Sequence, residues 1–199
     1  AIAIDEVKKF IAMQDLKAET RFIPKKVVPT LDGEFKQKIA IVGGGPAGIS
    51  CAFYLAEKGY VNVTVFEKNE EAGGMLRYGI PNYKLEKDVI SAEIDIIKEL
   101  GVEIKCGVEV GKDITLDELR KQGYKAFYIA VGAQGGRKAG IDGEDAESVF
   151  TAVEFLHECA ATEKFDLGKD VVVVGGGNVA IDAARVARRC GGKNVQMFC

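Results

Sequence analysis

Apolar residues along this chain change their spacing several times, and each change marks an element. Ile4, Val7, Ile11 and Leu16 recur at helical intervals and predict a helix over 4–18. RFIPKKVVPTLDGEF follows, and Pro24 and Pro29 predict an extended connector there rather than more helix. From Lys38 the period alternates. It predicts a strand over 38–43, a helix over 46–58, a strand over 62–67, a glycine-containing loop, a helix over 85–100, a strand over 102–106, a short helix and a strand over 126–131. Strands alternating with helices predict a parallel sheet covered on both faces, an α/β architecture.

Local signals set several boundaries. Thr115 and Glu118 form a T-x-x-E capping box, with Ile114 and Leu119 placed as its hydrophobic staple and Gly123 after the last turn. Thr151 and Glu154, flanked by Phe150 and Phe155, predict a second helix start of the same kind. Between them GAQGGRKAGIDGEDAES reads as a glycine-rich hinge, and a new sheet is expected from Asp170. The organisation this predicts is an N-terminal helix and connector (1–36), a first α/β domain with its hinge (37–165) and the start of a second (166–199).

The chain repeats itself. IAIVGGGPAGISCAFYLAEKG (39–59) and VVVVGGGNVAIDAARVARRCG (171–191) align without a gap, residue n falling on n + 132, and 7 of the 21 positions are identical. Each copy follows an apolar strand and opens a helix with dinucleotide spacing: Gly43-x-Gly45-x-x-Gly48 and Gly175-x-Gly177-x-x-Ala180. The first glycine makes a tight turn, the second admits a pyrophosphate to the backbone, and the third small residue lets helix and strand pack closely. Free amides and the positive end of the helix dipole then favour an anion. Glu67 ends the second strand, where a carboxylate can accept from both hydroxyls of an adenosine ribose. At the same offset Glu67 falls on Cys199.

Composition narrows the classes. A net charge of -3 over 199 residues offers no basic field for nucleic acid. No apolar run approaches the roughly 20 residues of a membrane span, and AIAIDEVKKF lacks the form of a signal peptide, so the expectation is a cytoplasmic protein. Five cysteines, odd in number and with no C-x-x-C, predict isolated thiols rather than a disulfide framework, metal site or iron–sulfur site.

GGGPAGISCAFYLAEKG, FEKNEEAGGMLRYGIPNYKL, FYIAVGAQGGRKAGIDGED and GGGNVAIDAARVARRCGG together resemble the small-subunit (beta) family of glutamate synthase. That family shares this module with the N-terminal half of dihydropyrimidine dehydrogenase and with related ferredoxin-linked NAD(P)H oxidoreductases. The resemblance implies a Rossmann-like FAD-binding domain followed by a truncated Rossmann-like NAD(P)-binding domain. Electrons would pass from NAD(P)H through FAD to iron–sulfur clusters of the parent protein or a partner, a glutamate synthase large subunit or another electron-accepting protein.

Carried over by motif, the resemblance assigns Gly43, Gly45, Pro46, Ala47 and Gly48 to the FAD pyrophosphate and Glu67 to its adenosine ribose. Gly74 and Met75 occupy the G-G-[LM] position beside the flavin. Lys84 stands where relatives carry a basic residue that reaches the cofactor, Val110 where a strand-end backbone meets the adenine, and Gly132 where the chain passes close to FAD. Gly175, Gly177, Asn178, Val179 and Ala180 would receive the nicotinamide cofactor's pyrophosphate. The resemblance implies no side-chain acid–base residue and no metal ligand, since hydride transfer between the rings needs position above all.

The pattern also departs from its relatives. No cluster-binding cysteines lie upstream, and neither the remainder of the nicotinamide domain nor the later Gly-Asp flavin motif is present. The expectation is a piece of a longer polypeptide, inactive alone and with bare edges that favour self-association or disorder after about residue 166. His157 is expected to pack or face solvent, Asp182 and Arg185 to make local polar contacts, and Arg77 to approach the flavin or join an ion pair. Alternative readings are a pyrimidine- or ferredoxin-linked oxidoreductase and a non-enzymatic dinucleotide-binding module.

Overall fold

A computed structural model of the chain describes residues 2–27, 33–162, 165 and 167–199. Pro29 and the expected boundary at residue 166 lie outside the described residues. The chain forms two units. The first comprises the segment up to Ala72 together with Asp88–Val131, and the second Gly73–Lys87 together with Gly132–Cys199.

The first unit is built on four parallel strands, β1 (Phe35–Val42), β2 (Tyr60–Phe66), β3 (Glu103–Lys105) and β4 (Tyr124–Ile129), in the order β3-β2-β1-β4. Register pairs Ile41 with Val65 and with Tyr128, and Val65 with Ile104. One face of β1 and β2 presents Ile41, Val63 and Val65, covered by α2 (Pro46–Glu57) and α4 (Lys87–Glu99). The stripe that α2 buries is Gly48, Ala52 and Ala56, four residues apart, so its axis lies close to the sheet. Ile90, Ile94 and Ile97 form the buried stripe of α4. The opposite face presents Ala40 and Phe66, which pack with Tyr124 and with Leu119 of α5 (Leu116–Lys121). Each fully buried aliphatic side chain here contributes about 1.5–3 kcal/mol. A polar row inside is satisfied: Tyr124 Oη donates to Thr64 Oγ1 at 3.0 Å, which donates to Glu103 at 3.0 Å.

The N-terminal helix α1 (Ile4–Lys17) forms where its spacing predicts, yet it has no buried residue among those described. The connector after it is held by Arg21, which donates to Asp15, to the carbonyl of Ala92 and to Glu93. The capping box of α5 is complete: Glu118 N–H donates to Thr115 Oγ1 at 3.2 Å and Thr115 N–H to Glu118 Oε2 at 2.8 Å.

The second unit contains α3 (Met75–Tyr78), α6 (Ala152–Thr162) and a β–α–β segment of β5 (Asp170–Val174), α7 (Asn178–Arg189) and β6 (Asn194–Phe198). β5 and β6 pair in parallel, Val171 with Val195 through Val174 with Phe198. α6 and α7 cover one face through Phe155, Leu156, Ala183, Val186 and Ala187. The other face is bare: Val172 is 63%, Val174 72% and Phe198 55% exposed. What is bare is thus a sheet face, on a segment that forms a β–α–β repeat. The sequence pattern misses α3, a single turn started by Gly74 at φ +52. His157 stacks on Tyr78 with ring centroids 4.8 Å apart, a packing contact.

Candidate functional site

The carboxyl ends of β1, β2 and β4 share one edge of the first sheet, and the strand order reverses at β1. In open parallel sheets ligands bind outside this switch point. Gly43 leaves β1 at φ +106 and donates its N–H to the carbonyl of Phe66 at 2.8 Å, which holds the loop across the tip of β2. A Cβ at Gly43 would lie 2.3 Å from the carbonyl oxygen of Ala130, and one at Gly48 would lie 1.9 Å from that of Gly43. Both contacts are with backbone, so only glycine fits. Gly45 caps α2 in extended conformation (φ -77, ψ -177) with no side chain to fill the cap, and Pro46 follows at the first helical position. The first helical bond is Ile49 N–H to Gly45 O. The amides of Ala47 and Gly48 have no acceptor within the helix and point outward along its axis. Pro46 and Ala47 are exposed, so this end is open to a ligand.

Glu67 closes the cradle. Its side chain is buried at 4% exposure, Oε2 accepts from Gly44 N–H at 2.7 Å, and Oε1 accepts from Asn69 N–H at 2.9 Å and Nδ2 at 2.8 Å. Held by three neutral donors, the side chain is fixed in place with its oxygens offered as acceptors. Sequence reasoning overlooked Gly44 and Asn69, though the E-x-N step after a strand was a usable signal. Val110 packs against the cluster of Ala40, Phe66, Leu119 and Tyr124 and forms an isolated bridge with Ile114.

In the second unit, Gly175 leaves β5 at φ +129 and donates to the carbonyl of Phe198 at 2.6 Å. Gly177 caps α7 at φ -80, ψ 172, and Ile181 N–H makes the first helical bond to it at 3.1 Å. These are the same contacts as those of Gly43, Phe66, Gly45 and Ile49. A Cβ at Gly177 would meet nothing within 4 Å, so the space beside it is free for a ligand. Asn178 and Val179 are exposed at the helix start, and Ala180 is buried beneath it. A Cβ on Gly176 would lie 2.9 Å from the Cβ of Cys199, which therefore takes the place that Glu67 holds beside Gly44.

Gly74, Met75 and Lys84 belong to the second unit, as does Gly132, at φ +71 with open space beside it. Met75 begins α3 and is partly exposed. Lys84 Nζ lies 2.5 Å from Asp182 Oδ1, the atom that also accepts from Tyr83 Oη at 3.1 Å. The Tyr83 ring carries two guanidiniums, Arg185 at 4.5 Å and Arg189 at 4.0 Å. Burial and then the Asp182 contact raise the Tyr83 hydroxyl above its ordinary range. The NYK turn is thus bolted to α7, and the local contacts expected of Asp182 and Arg185 turn out to join segments about a hundred residues apart. Arg77 is buried. Lys87 Nζ donates to the carbonyls of Leu76 and Ile80 at 3.3 and 2.6 Å, and burial followed by nearby Arg77 lowers its pKa. The described residues contain no cluster able to hold a metal and no helix long and apolar enough to cross a membrane.

A parallel sheet with a glycine turn into a helix at its switch point, and a second such turn after it, define a dinucleotide-binding oxidoreductase fold. The chain belongs to the pyridine nucleotide-disulphide oxidoreductase family, whose sequence profile matches residues 37–198. It is 45% identical, over 81% of its length, to the NADP(+)-dependent formate dehydrogenase subunit beta of Moorella thermoacetica, covering 23% of that protein. Over its whole length it is 36% identical to the small chain of NADPH glutamate synthase from Bacillus subtilis, covering 41% of it. Among solved structures, FprA of Mycobacterium tuberculosis in complex with NADPH superposes with a TM-score of 0.65 at 31% identity, over 76% of this chain and 36% of that one. The chain therefore spans between about a quarter and two fifths of these relatives.

Proposed function

We propose that this chain is the nucleotide-binding portion of an NAD(P)H-dependent flavoprotein oxidoreductase subunit. In this reading the loop Gly43–Gly48 holds the pyrophosphate of FAD through backbone amides, and Glu67 accepts the hydroxyls of its adenosine ribose. Gly175, Gly177, Asn178, Val179 and Ala180 hold the pyrophosphate of the nicotinamide cofactor. Gly74, Met75, Lys84, Val110 and Gly132 complete the flavin surroundings. When bound, the two cofactors supply hydride transfer and its division into single electrons, chemistry that no side chain provides. The chain's own part is to hold charge and exclude freedom: amides at two helix starts neutralise phosphate, and a buried carboxylate fixes one ribose. The single observation that carries this is the duplicated loop geometry, with Gly43 and Gly175 both at positive φ, each bonded to the end of the neighbouring strand.

The relatives support an electron-transfer subunit that works with a larger partner. We favour a partner of the glutamate synthase large-subunit kind, bearing iron–sulfur centres, because that resemblance extends along the whole chain. The higher identity to a formate dehydrogenase beta subunit supports a second reading, in which the same module serves a different partner. Free cysteines throughout support a reducing, cytoplasmic setting. Titration with FAD, followed by quenching of its fluorescence, tests the cofactor reading, and the outcome expected is saturable binding that Glu67→Ala weakens at least tenfold. Unchanged affinity in that variant sinks it. Glutamine- and 2-oxoglutarate-dependent oxidation of NADPH by the whole complex distinguishes the two partners.

A further inference from the structure

The second unit contains a cavity of about 330 Å³ that none of the cofactor contacts uses. Leu156 and Val186 give it apolar lining, and its two charged lining residues, Lys87 and Arg189, are both cationic. Two cysteines lie on its wall. Cys159 comes from α6 and Cys190 caps the end of α7, and their sulfurs are 3.6 Å apart although the residues are 31 positions apart in sequence. No other two cysteines among the described residues have sulfurs recorded in contact.

We propose that Cys159 and Cys190 form a dithiol site that is oxidised to an intramolecular disulfide by a small anionic disulfide entering this cavity. Cys190, half-buried, is the sulfur a small molecule reaches first; Cys159 is buried. The Cys190 thiolate attacks one sulfur of RSSR, forming a mixed disulfide and releasing the first thiolate. Cys159 then loses its proton and attacks the Cys190 sulfur, closing the bond between the two side chains and releasing the second. The two protein thiols lose two electrons and two protons, and RSSR is reduced to two RSH. Closure to a bond of about 2.05 Å needs the sulfurs to approach by about 1.6 Å, within the reach of side-chain rotation at a helix end. Burial, and then the neighbouring Cys190, push the Cys159 thiol up to about 12, which fits a resolving sulfur rather than the attacking one. The basic lining favours an anionic disulfide. The bond would join α6 to the last turn of α7, at the end of that helix opposite the second glycine cradle.

The test treats the full chain with oxidised glutathione, blocks remaining thiols by alkylation and maps peptides. The expected product is a Cys159–Cys190 linkage with the loss of two hydrogens. It should be absent in Cys190→Ser and in Cys159→Ser, with the fold of each verified by circular dichroism. The linked form should melt at least about 5 °C higher than the reduced form, as closing a loop of this length implies. At low salt, oxidised glutathione should react at least about fivefold faster than the cationic disulfide cystamine. A stable glutathione adduct on Cys190 without closure overturns the proposal. So does alkylation of both cysteines while exposed Cys199 has reacted, and so does equal or faster reaction with cystamine.

Discussion

The amide of Gly44 donates to the buried Oε2 of Glu67 at 2.7 Å, tying the middle of the glycine loop to the tip of the adjacent strand. Removing that carboxylate leaves the amide with no acceptor and takes away the anion that a ribose would meet. Glu67→Ala is therefore expected to cost about 1–3 kcal/mol in stability as well as affinity. Glu67→Gln keeps only one accepting oxygen, so its NH2 must face either Gly44 N–H or the Asn69 donors, and it should cost about 1–3 kcal/mol in stability as well as affinity. Urea unfolding and FAD titration on the same samples separate the two effects.

Two glycine substitutions distinguish folding from binding. Gly48→Ala drives a methyl into the carbonyl of Gly43 and is expected to destabilise by about 3 kcal/mol or more. Gly177→Ala enters open space at an ordinary φ and loses only a glycine N-cap, so it should cost no more than about 1 kcal/mol in stability. Its methyl stands where a pyrophosphate would approach, and NADPH affinity, read by nucleotide fluorescence, should fall at least about tenfold.

The capping boxes give a pH dependence with a definite sign. Bonds from the Thr115 backbone and hydroxyl hold the Glu118 carboxyl below its usual range, and bonds from the Thr151 hydroxyl and backbone do the same for Glu154. A lowered folded-state value means stability that is present above the unfolded value, about 4.3, and lost as pH falls through the folded one. Denaturant midpoints measured from pH 6 to 3 should decline less steeply for Glu118→Gln than for the parent. Thr115→Ala should cost about 1 kcal/mol at neutral pH.

Tyr83 is expected to fasten the 79–84 turn to α7. Tyr83→Phe keeps the ring under Arg185 and Arg189 and loses only the bond to Asp182, a cost of about 1 kcal/mol. Tyr83→Ala should cost about 3 kcal/mol and increase hydrogen exchange in residues 79–87.

The bare face of β5 and β6, with Val172, Val174 and Phe198 exposed, should make the chain associate with itself as its concentration rises. Val174→Glu should shift the sedimentation distribution toward monomer. A parent that sediments as monomer at every concentration excludes this face as a contact.

What could be read in advance followed from local physics. Gly43 and Gly175 announce a tight turn because each opens a G-x-G-x-x-[GA] run directly after an apolar strand, and parallel strands follow from βαβ spacing. The capping boxes are legible because all their atoms lie within four residues. The ion pair of Lys84 with Asp182 and the sulfur contact of Cys159 with Cys190 were hidden, since each joins segments that only tertiary packing brings together. α3 was hidden for another reason: one turn is too short to show a period, and Gly74 decides it alone.

The two cradles share a positive-φ glycine and the same two backbone bonds, and differ at the strand tip, a carboxylate at 67 and a thiol at 199. In the reading proposed above, grip on the diphosphate is written in main chain, which point mutation hardly alters, whereas the choice of nucleotide rests with one exchangeable side chain. Handle and key are then separate, so that redirecting either cradle to a different sugar would call for a substitution at that tip and none in the glycines.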